Sequence, residues 1–277
     1  MISSKQNTLA QSAEFQGVGI HTGKPCTVRV KPSPINSGRV FVTANGVKVP
    51  ARVDYVVSCD RSTILGSGED RVHTPEHLLS AMASLGVDNA IIELTGPEIP
   101  ILDGSAKQFC DGLSYAGVAE QEAEAKIYSP LQPYSVQGSN GDLVLVVPAP
   151  ETSFHYVLHY DHPMLGCQTV DFYPENESFE SKIAEARTFA LWEEVKPLLE
   201  RGMALGGTLE NALVVYPDKY SSALKMENEP VHHKCLDLIG DFALLDARIQ
   251  AKVLAVKAGH KMHVECAKLL WEGMKSC

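Results

Sequence analysis

The sequence predicts an α+β fold built in two halves, and three observations carry that expectation. Strand-like alternation of apolar and polar residues recurs on both sides of the midpoint, helix-patterned segments with start and stop residues interrupt it, and an acidic, proline-terminated stretch separates the two sides. The chain has 277 residues, more than one average domain needs and fewer than three would use. We place the first unit at residues 1–124 and the second at 125–277.

In the first unit C-T-V-R-V-K (26–31), R-V-F-V-T (39–43) and N-A-I-I-E-L-T (89–95) alternate at period two, as half-buried strands do. T-P-E-H-L-L-S-A-M-A-S-L-G (74–86) reads as a helix with Thr74 as N-cap, Pro75 at the first helical position and Gly86 as its stop. The polar A-E-Q-E-A-E-A-K-I-Y-S-P (119–130) reads as a linker or surface connection. Beyond it, L-V-L-V-V-P (143–148), S-F-H-Y-V-L-H-Y (153–160) and A-L-V-V-Y (212–216) are strands. Residues 190–202, about 231–246 and 260–272 follow helical patterns. R-I-Q-A-K-V-L-A-V-K (248–257) alternates as a strand and ends in K-A-G-H, where Gly259 permits a sharp turn. No internal sequence repeat appears.

Composition excludes several classes. Hydrophobic residues make up 44% and charged residues 21%, and no apolar run reaches the roughly 18 residues of a membrane span. The N-terminal M-I-S-S-K-Q-N-T-L-A lacks a basic segment followed by an apolar one, so a cytoplasmic location is expected. A formal charge of −10, with no Lys/Arg cluster among aromatics, argues against nucleic acid but leaves room for a small anion held by a few local lysines. The seven cysteines, at 26, 59, 110, 167, 235, 266 and 277, form no C-x-x-C pair, so reduced and mostly buried thiols are expected. There is no G-x-x-x-x-G-K-[ST] loop, which weakens a kinase reading.

The chemistry concentrates in V-H-H-K-C-L-D-L-I-G-D (231–241). On a helix His233, Asp237 and Asp241 fall at about 0°, 40° and 80°, one polar stripe, while Leu236, Leu238, Ile239 and Phe242 face the core. His232 has Leu236 four residues on and no carboxylate on its face. An imidazole and a carboxylate one turn apart can hold one divalent cation, or form a plain hydrogen-bonded pair; a metal needs a third ligand. T-P-E-H offers one: His77 as ligand beside Glu76 as general base, the alternative being a core histidine and a glutamate placed by the helix dipole. Position 81 is alanine, so this is not an H-E-x-x-H metalloprotease helix. In G-H-K-M-H, His260 opens a helix where a carboxylate such as Asp241 would tune its protonation, and His263 reads as a surface neighbour.

Together these segments resemble the UDP-3-O-acyl-N-acetylglucosamine deacetylases, the enzymes of the committed step of lipid A synthesis in Gram-negative bacteria. The resemblance runs through G-V-G-I-H-T-G (17–23), T-P-E-H-L-L, P-I-L-D-G-S-A (100–106), A-R-T-F (186–189), L-G-G-T-L-E-N-A (205–212), H-K-C-L-D-L-I-G-D (233–241) and K-A-G-H (257–260), in one order over nearly the whole chain. It implies hydrolysis of the acetamide of UDP-3-O-(3-hydroxyacyl)-N-acetylglucosamine by Zn2+, or Fe2+ in the cell, held by His77, His233 and Asp237 with a fourth position left to water. It further implies Glu76 as general base, Thr188 and protonated His260 stabilising the oxyanion, Asp241 orienting His260, Lys234 and Lys257 binding the diphosphate, and Phe189 lining an acyl passage. His21 and Asp103 stay outside that set, as loop and turn residues.

The fold so implied has two α+β domains of similar topology, each a sheet with helices on one side, packed as a β-α-α-β sandwich with the site at the junction. Each domain is expected to carry a small insert, one of them around residues 187–215 shaping the acyl passage, and the protein is expected to act as a monomer. Pro75 departs from the aliphatic residue common in the family. Another metal-dependent amidohydrolase with a different N-acetyl substrate is the nearest alternative; a purely structural zinc site would need a fourth protein ligand, and none is evident.

Overall fold

The computed structural model describes residues 4–275; Cys277 lies outside them. The six described cysteines are all free, four of them buried. Each half is built on a five-stranded sheet. In the first, Ala13–Val18, Pro25–Pro32, Ala90–Leu94, Arg39–Val42 and Lys48–Pro50 lie side by side in that order. In the second the order is Tyr134–Gln137, Leu143–Pro148, Ala251–Val256, Ser153–His159 and Cys167–Phe172.

Counted along the chain within each sheet, both orders read 1-2-5-3-4. In both, the third and fifth strands pair in parallel and every other neighbour is antiparallel. The same topology therefore occurs twice without a sequence repeat, because a strand needs only apolar residues on alternate positions, not particular ones.

The helices are α1 (Glu76–Ser84), α2 (Lys107–Ala116), α3 (Phe179–Lys182), α4 (Trp192–Glu200), α5 (Glu229–Phe242) and α6 (His260–Lys275). In each half the fifth strand is preceded by one helix and followed by another: α1 and α2, then α5 and α6. The equivalent helices α1 and α5 pack against each other, and α2 and α6 back onto their own sheets, which gives the β-α-α-β layering. Seven of the nine residues of α1 are buried, and twelve of the fourteen of α5, the polar stripe of α5 among them. A helix pressed between its own sheet and a partner helix has no solvent face left, so His233, Asp237 and Asp241 are desolvated together.

Several local expectations change. Residues 119–124 are no linker: Val118–Glu124 is a strand antiparallel to Lys5–Leu9, with Glu120, Glu122 and Glu124 on its exposed face. Its inward positions hold small or polar residues (Ala119, Gln121, Ala123), so hydrophobic alternation did not reveal it. Thr74 does not cap α1. It sits at φ 56°, and its hydroxyl donates to Glu98 Oε1 at 3.0 Å, while Pro75 occupies the cap position. Helix α4 begins at Trp192, because Phe189–Leu191 instead pairs in parallel with Leu213–Val215. This pair and α4 form the insert expected near 187–215. An insert stands at the equivalent place in the first half, a small sheet of Val56–Ser58, Ile64–Ser67 and Asp70–His73 between the fourth strand and α1.

The α1–α5 contact depends on one glycine. A β-carbon at Gly240 would stand 2.2 Å from the carbonyl oxygen of Glu76, well inside contact distance, so any side chain there forces the two helices apart. We expect Gly240→Ala to destabilise the fold by about 1–3 kcal/mol, read as a lower urea midpoint with unchanged slope.

Candidate functional site

Three helices bring the site residues together, and each begins just after a non-glycine residue in the left-handed region: Thr74 at φ 56° before α1, Asn228 at φ 54° before α5, and Lys257 at φ 52° before α6. Asparagine adopts this region readily. Threonine and lysine do so at a cost, which the surrounding contacts must offset.

His77 from α1 and His233 and Asp237 from α5 form a buried cluster whose potential ligand atoms all lie within 4.8 Å of one another. Asp237 Oδ1 is 3.4 Å from His233 Nε2 and 3.9 Å from His77 Nε2, and the two imidazoles meet edge to face at 5.0 Å. His233 Nδ1 faces the Ala186 carbonyl at 3.0 Å. A carbonyl only accepts, so Nδ1 carries the proton and the Nε2 lone pair is left for the cluster.

Burial, reinforced by the neighbouring His233, lowers His77 to about 3, and His233 is lowered too, burial again being the main cause. Burial by itself would raise Asp237, but the charges of Lys234, His233, His260 and His77 outweigh it and hold the carboxyl well below its usual range. Two neutral imidazoles and one ionised carboxylate are the protonation states a borderline divalent cation requires. The donor set fits a metal.

Glu76 precedes His77. Burial, with Asp241 and Asp237 adding to it, raises its carboxyl to about 8 despite the charge of His260. A dication in the cluster would pull this value down again, toward neutrality. His260, at the start of α6, places Nε2 3.8 Å from Glu76 Oε1 and 3.8 Å from Asp237 Oδ2. Burial disfavours its charge, yet Asp241, Asp237 and Glu76 together raise it to about 9.

Asp241 is fully buried and organises this side of the site. Its Oδ2 accepts from His260 Nδ1 at 2.8 Å and His263 Nδ1 at 2.9 Å, and its Oδ1 from the Thr63 hydroxyl at 2.5 Å. Asp241, expected to orient His260, thus contacts both imidazoles and the Thr63 hydroxyl. His263, expected on the surface, has no exposed area at all: the turn of α6 that brings His260 to Asp241 brings the residue three positions on to the same oxygen.

The other expected residues vary in how they meet the cluster. Lys234 donates to Asp237 Oδ2 at 2.9 Å and lies 5.6 Å from the centre of the Phe189 ring. Phe189 is half-buried and meets Tyr160 edge to face. Thr188 is pinned by its backbone, donating to the Gly104 carbonyl and accepting from Leu213 N–H, each at 2.8 Å. Lys257 is turned elsewhere, to the Asn140 carbonyl at 2.6 Å and toward Asp142 at 4.0 Å.

Sequence reasoning missed Thr63 and Glu98. Buried Glu98 accepts from the backbone N–H groups of His21 and Thr22 and from the hydroxyls of Thr22 and Thr74, tying the G-I-H-T-G loop to the approach to α1. Neither residue sits in a spacing that signals chemistry. Asp103 is a turn residue as expected, accepting from Ser105, though it also pairs with Lys225 at 2.7 Å.

Fold and site together define the class: an α+β enzyme of two like-built halves with a buried cluster of potential metal ligands between them. A family model for UDP-3-O-acyl N-acetylglycosamine deacetylase matches residues 6–272. The chain is 40% identical to a UDP-3-O-acyl-N-acetylglucosamine deacetylase of Nostoc sp. over 95% of this chain and 97% of that one. It is 38% identical to the enzyme of that name from Chlamydia pneumoniae, over 99% of this chain and all of the relative. The chain belongs to the UDP-3-O-acyl N-acetylglycosamine deacetylase family, whose members are metal-dependent. Among the described residues no helix is long and apolar enough to cross a membrane.

Beside the cluster, Arg187 and Glu229 form a buried ion pair at 2.8 Å that fixes Ala186 and Thr188 against the start of α5. Burial alone would raise Glu229, but the Arg187 guanidinium and the N–H groups of Arg187 and Lys225 hold it below the ordinary range. The stabilisation from this depressed carboxyl is complete above the unfolded value of about 4.3 and disappears as pH falls through the lower folded value. We expect Arg187→Met, which strands a buried carboxylate, to cost about 3–5 kcal/mol at pH 7, and to lose less further stability than wild type in urea titrations carried down to pH 3.

Proposed function

We propose that this protein removes the acetyl group from UDP-3-O-(3-hydroxyacyl)-N-acetylglucosamine, giving acetate and the free amine, with Zn2+ held by His77, His233 and Asp237. The observation that carries this reading is the convergence of those three buried donors from α1 and α5 beside a carboxyl of raised pKa. In the units we propose, residues 1–124 supply His77 and Glu76 and residues 125–277 supply the rest, so the centre forms only when both have folded and docked.

When bound, the ion supplies a Lewis acid that acidifies water and polarises the acetamide carbonyl. The chain's own residues do the proton work. Glu76 Oε1 takes a proton from the attacking water, and burial raises its basicity for that task. His260 donates from Nε2, because its Nδ1 proton is committed to Asp241, and its positive charge faces the oxyanion as the carbonyl carbon becomes tetrahedral. The same Nε2 proton then passes to the departing nitrogen and the proton held by Glu76 returns to His260, so that water and amide yield carboxylic acid and amine in balance.

Thr188, beside the Arg187–Glu229 anchor, supplies a second donor to the oxyanion. Lys234 offers a positive charge to the substrate while fixing Asp237. Phe189 and its strand line the route for the acyl chain. Lys257, on the rim, is placed for the diphosphate once it leaves the Asn140 carbonyl.

The primary test is acetate release from the UDP-sugar, before and after chelation and after adding back zinc; activity that disappears and returns with zinc supports the proposal. No release from zinc-loaded, folded protein would direct attention to other N-acetyl substrates. Glu76→Gln should lower kcat by about 10²- to 10⁴-fold with one metal retained, whereas Asp237→Ala should lose metal and activity together. Because the ion binds only the folded chain, chelation should lower the thermal unfolding temperature, and an unchanged temperature would refute that coupling.

A further inference from the structure

At the far ends of α1 and α5 from the metal cluster, the two halves enclose a cavity of about 410 Å³, within the range of small-molecule sites. None of His77, Glu76, His233, Asp237 or His260 lines it. One wall is aromatic and aliphatic: Phe154, Phe172 and Phe179 from the second half, with Ile239 and Phe242 from the last turn of α5. Arg39, the first residue of its strand, also lines the cavity, as do Lys126 and Arg248.

Arg39 is 7% exposed. Its Nη2 donates to the Ala243 carbonyl at 2.6 Å, and its buried Nε has no hydrogen-bond partner among the described residues. Among the described residues no carboxylate pairs with it. The acids along the cavity are engaged elsewhere: Asp88 by Arg248 at 2.6 Å and Asp246 by Lys126 at 3.0 Å, while Glu177 pairs with Lys182 and Glu175 is exposed and accepts from Thr152 N–H. Burial lowers the pKa of Arg39, opposed by the charges of Asp246 and Asp88, which stand near it without hydrogen-bonding its guanidinium. An apolar chamber edged by a buried guanidinium that no carboxylate hydrogen-bonds is complementary to a molecule with one anionic end and an apolar body.

We propose that this cavity is a second ligand site, distinct from the catalytic centre, which binds an amphipathic monocarboxylate of the fatty-acid class with its carboxylate on Arg39 and its chain along Phe154, Phe172 and Phe242. Such a ligand touches the first sheet through Arg39 and the second through Phe154 and Phe172, so it bridges the two halves at the end of the helices that carry the metal donors.

The test is calorimetric titration of zinc-loaded protein with decanoate, decanol and decyltrimethylammonium. Decanoate should bind at one equivalent, and the neutral and cationic analogues about tenfold or more weakly, because they lack the charge-assisted hydrogen bond. Arg39→Gln removes the cation. Ala247→Phe fills the chamber without touching Arg39, and serves as the deciding variant if Arg39→Gln unfolds. Each should weaken decanoate about tenfold or more, while Phe189→Ala leaves it unchanged. Absence of decanoate binding, or binding that survives in folded Ala247→Phe, overturns the proposal. Loss of binding in Phe189→Ala does so as well, since it assigns the ligand to the catalytic cleft. Acetate release is a separate measurement, so either proposal can fail without the other.

Discussion

The close approach of α1 and α5 is the constraint on which the rest of the protein depends. Gly240 lies where a β-carbon would meet the backbone oxygen of Glu76, so the two helices touch nearly backbone to backbone. At that separation short side chains suffice to span the gap: His77 reaches Asp237 from one helix to the other, and Glu76 comes within 3.8 Å of His260. A wider helix pair would leave the imidazoles too far apart to share one ion. The pseudo-duplication explains why the contact is symmetric in kind, for α1 and α5 occupy the same step of the same topology. Each half contributes its penultimate helix to a shared centre.

Burial is the second determinant, and it acts on His77, His233 and Glu76 in the direction their proposed tasks need. The same desolvation that keeps His77 and His233 neutral raises Glu76 to about 8. His260 escapes the trend because three carboxylates face it. Asp241 in turn stays ionised despite full burial because Thr63, His260 and His263 all donate to it. A network in which each buried charge has its partner is stable as a whole and vulnerable at any member. This dependence explains why residues as remote in sequence as Thr63 and His263 belong to one arrangement.

The region around the centre is held by further buried polar anchors. Glu98 gathers the loop at His21 and the turn at Thr74, and Arg187–Glu229 ties the strand of Phe189 to α5. Arg39 differs from both: it is buried and cationic, and it reaches across to the end of α5 without a carboxylate of its own. Its place on a strand at the far ends of α1 and α5 is what separates the two proposed ligand sites.

Much of this was legible in the residues themselves. The spacing of His233, Asp237 and Asp241 put three polar groups on one helical face, the alternation of 26–31, 39–43, 89–95 and 143–148 marked strands found there, and the ordered motifs pointed to the family the chain belongs to. Those are local properties, set by 3.6- and 2-residue periodicity and by side-chain type. The strand at 118–124, the left-handed Thr74, the buried place of His263 and the roles of Thr63 and Glu98 were not legible, because each follows from what a distant segment presents: Lys5–Leu9 to the strand, Glu98 to Thr74, Asp241 to His263 and Thr63. Sequence by itself determined which groups are available and which face of an element they share. Tertiary structure alone decided which of them meet and how dry their surroundings are, since distance and dielectric arise only when two folded halves close on each other.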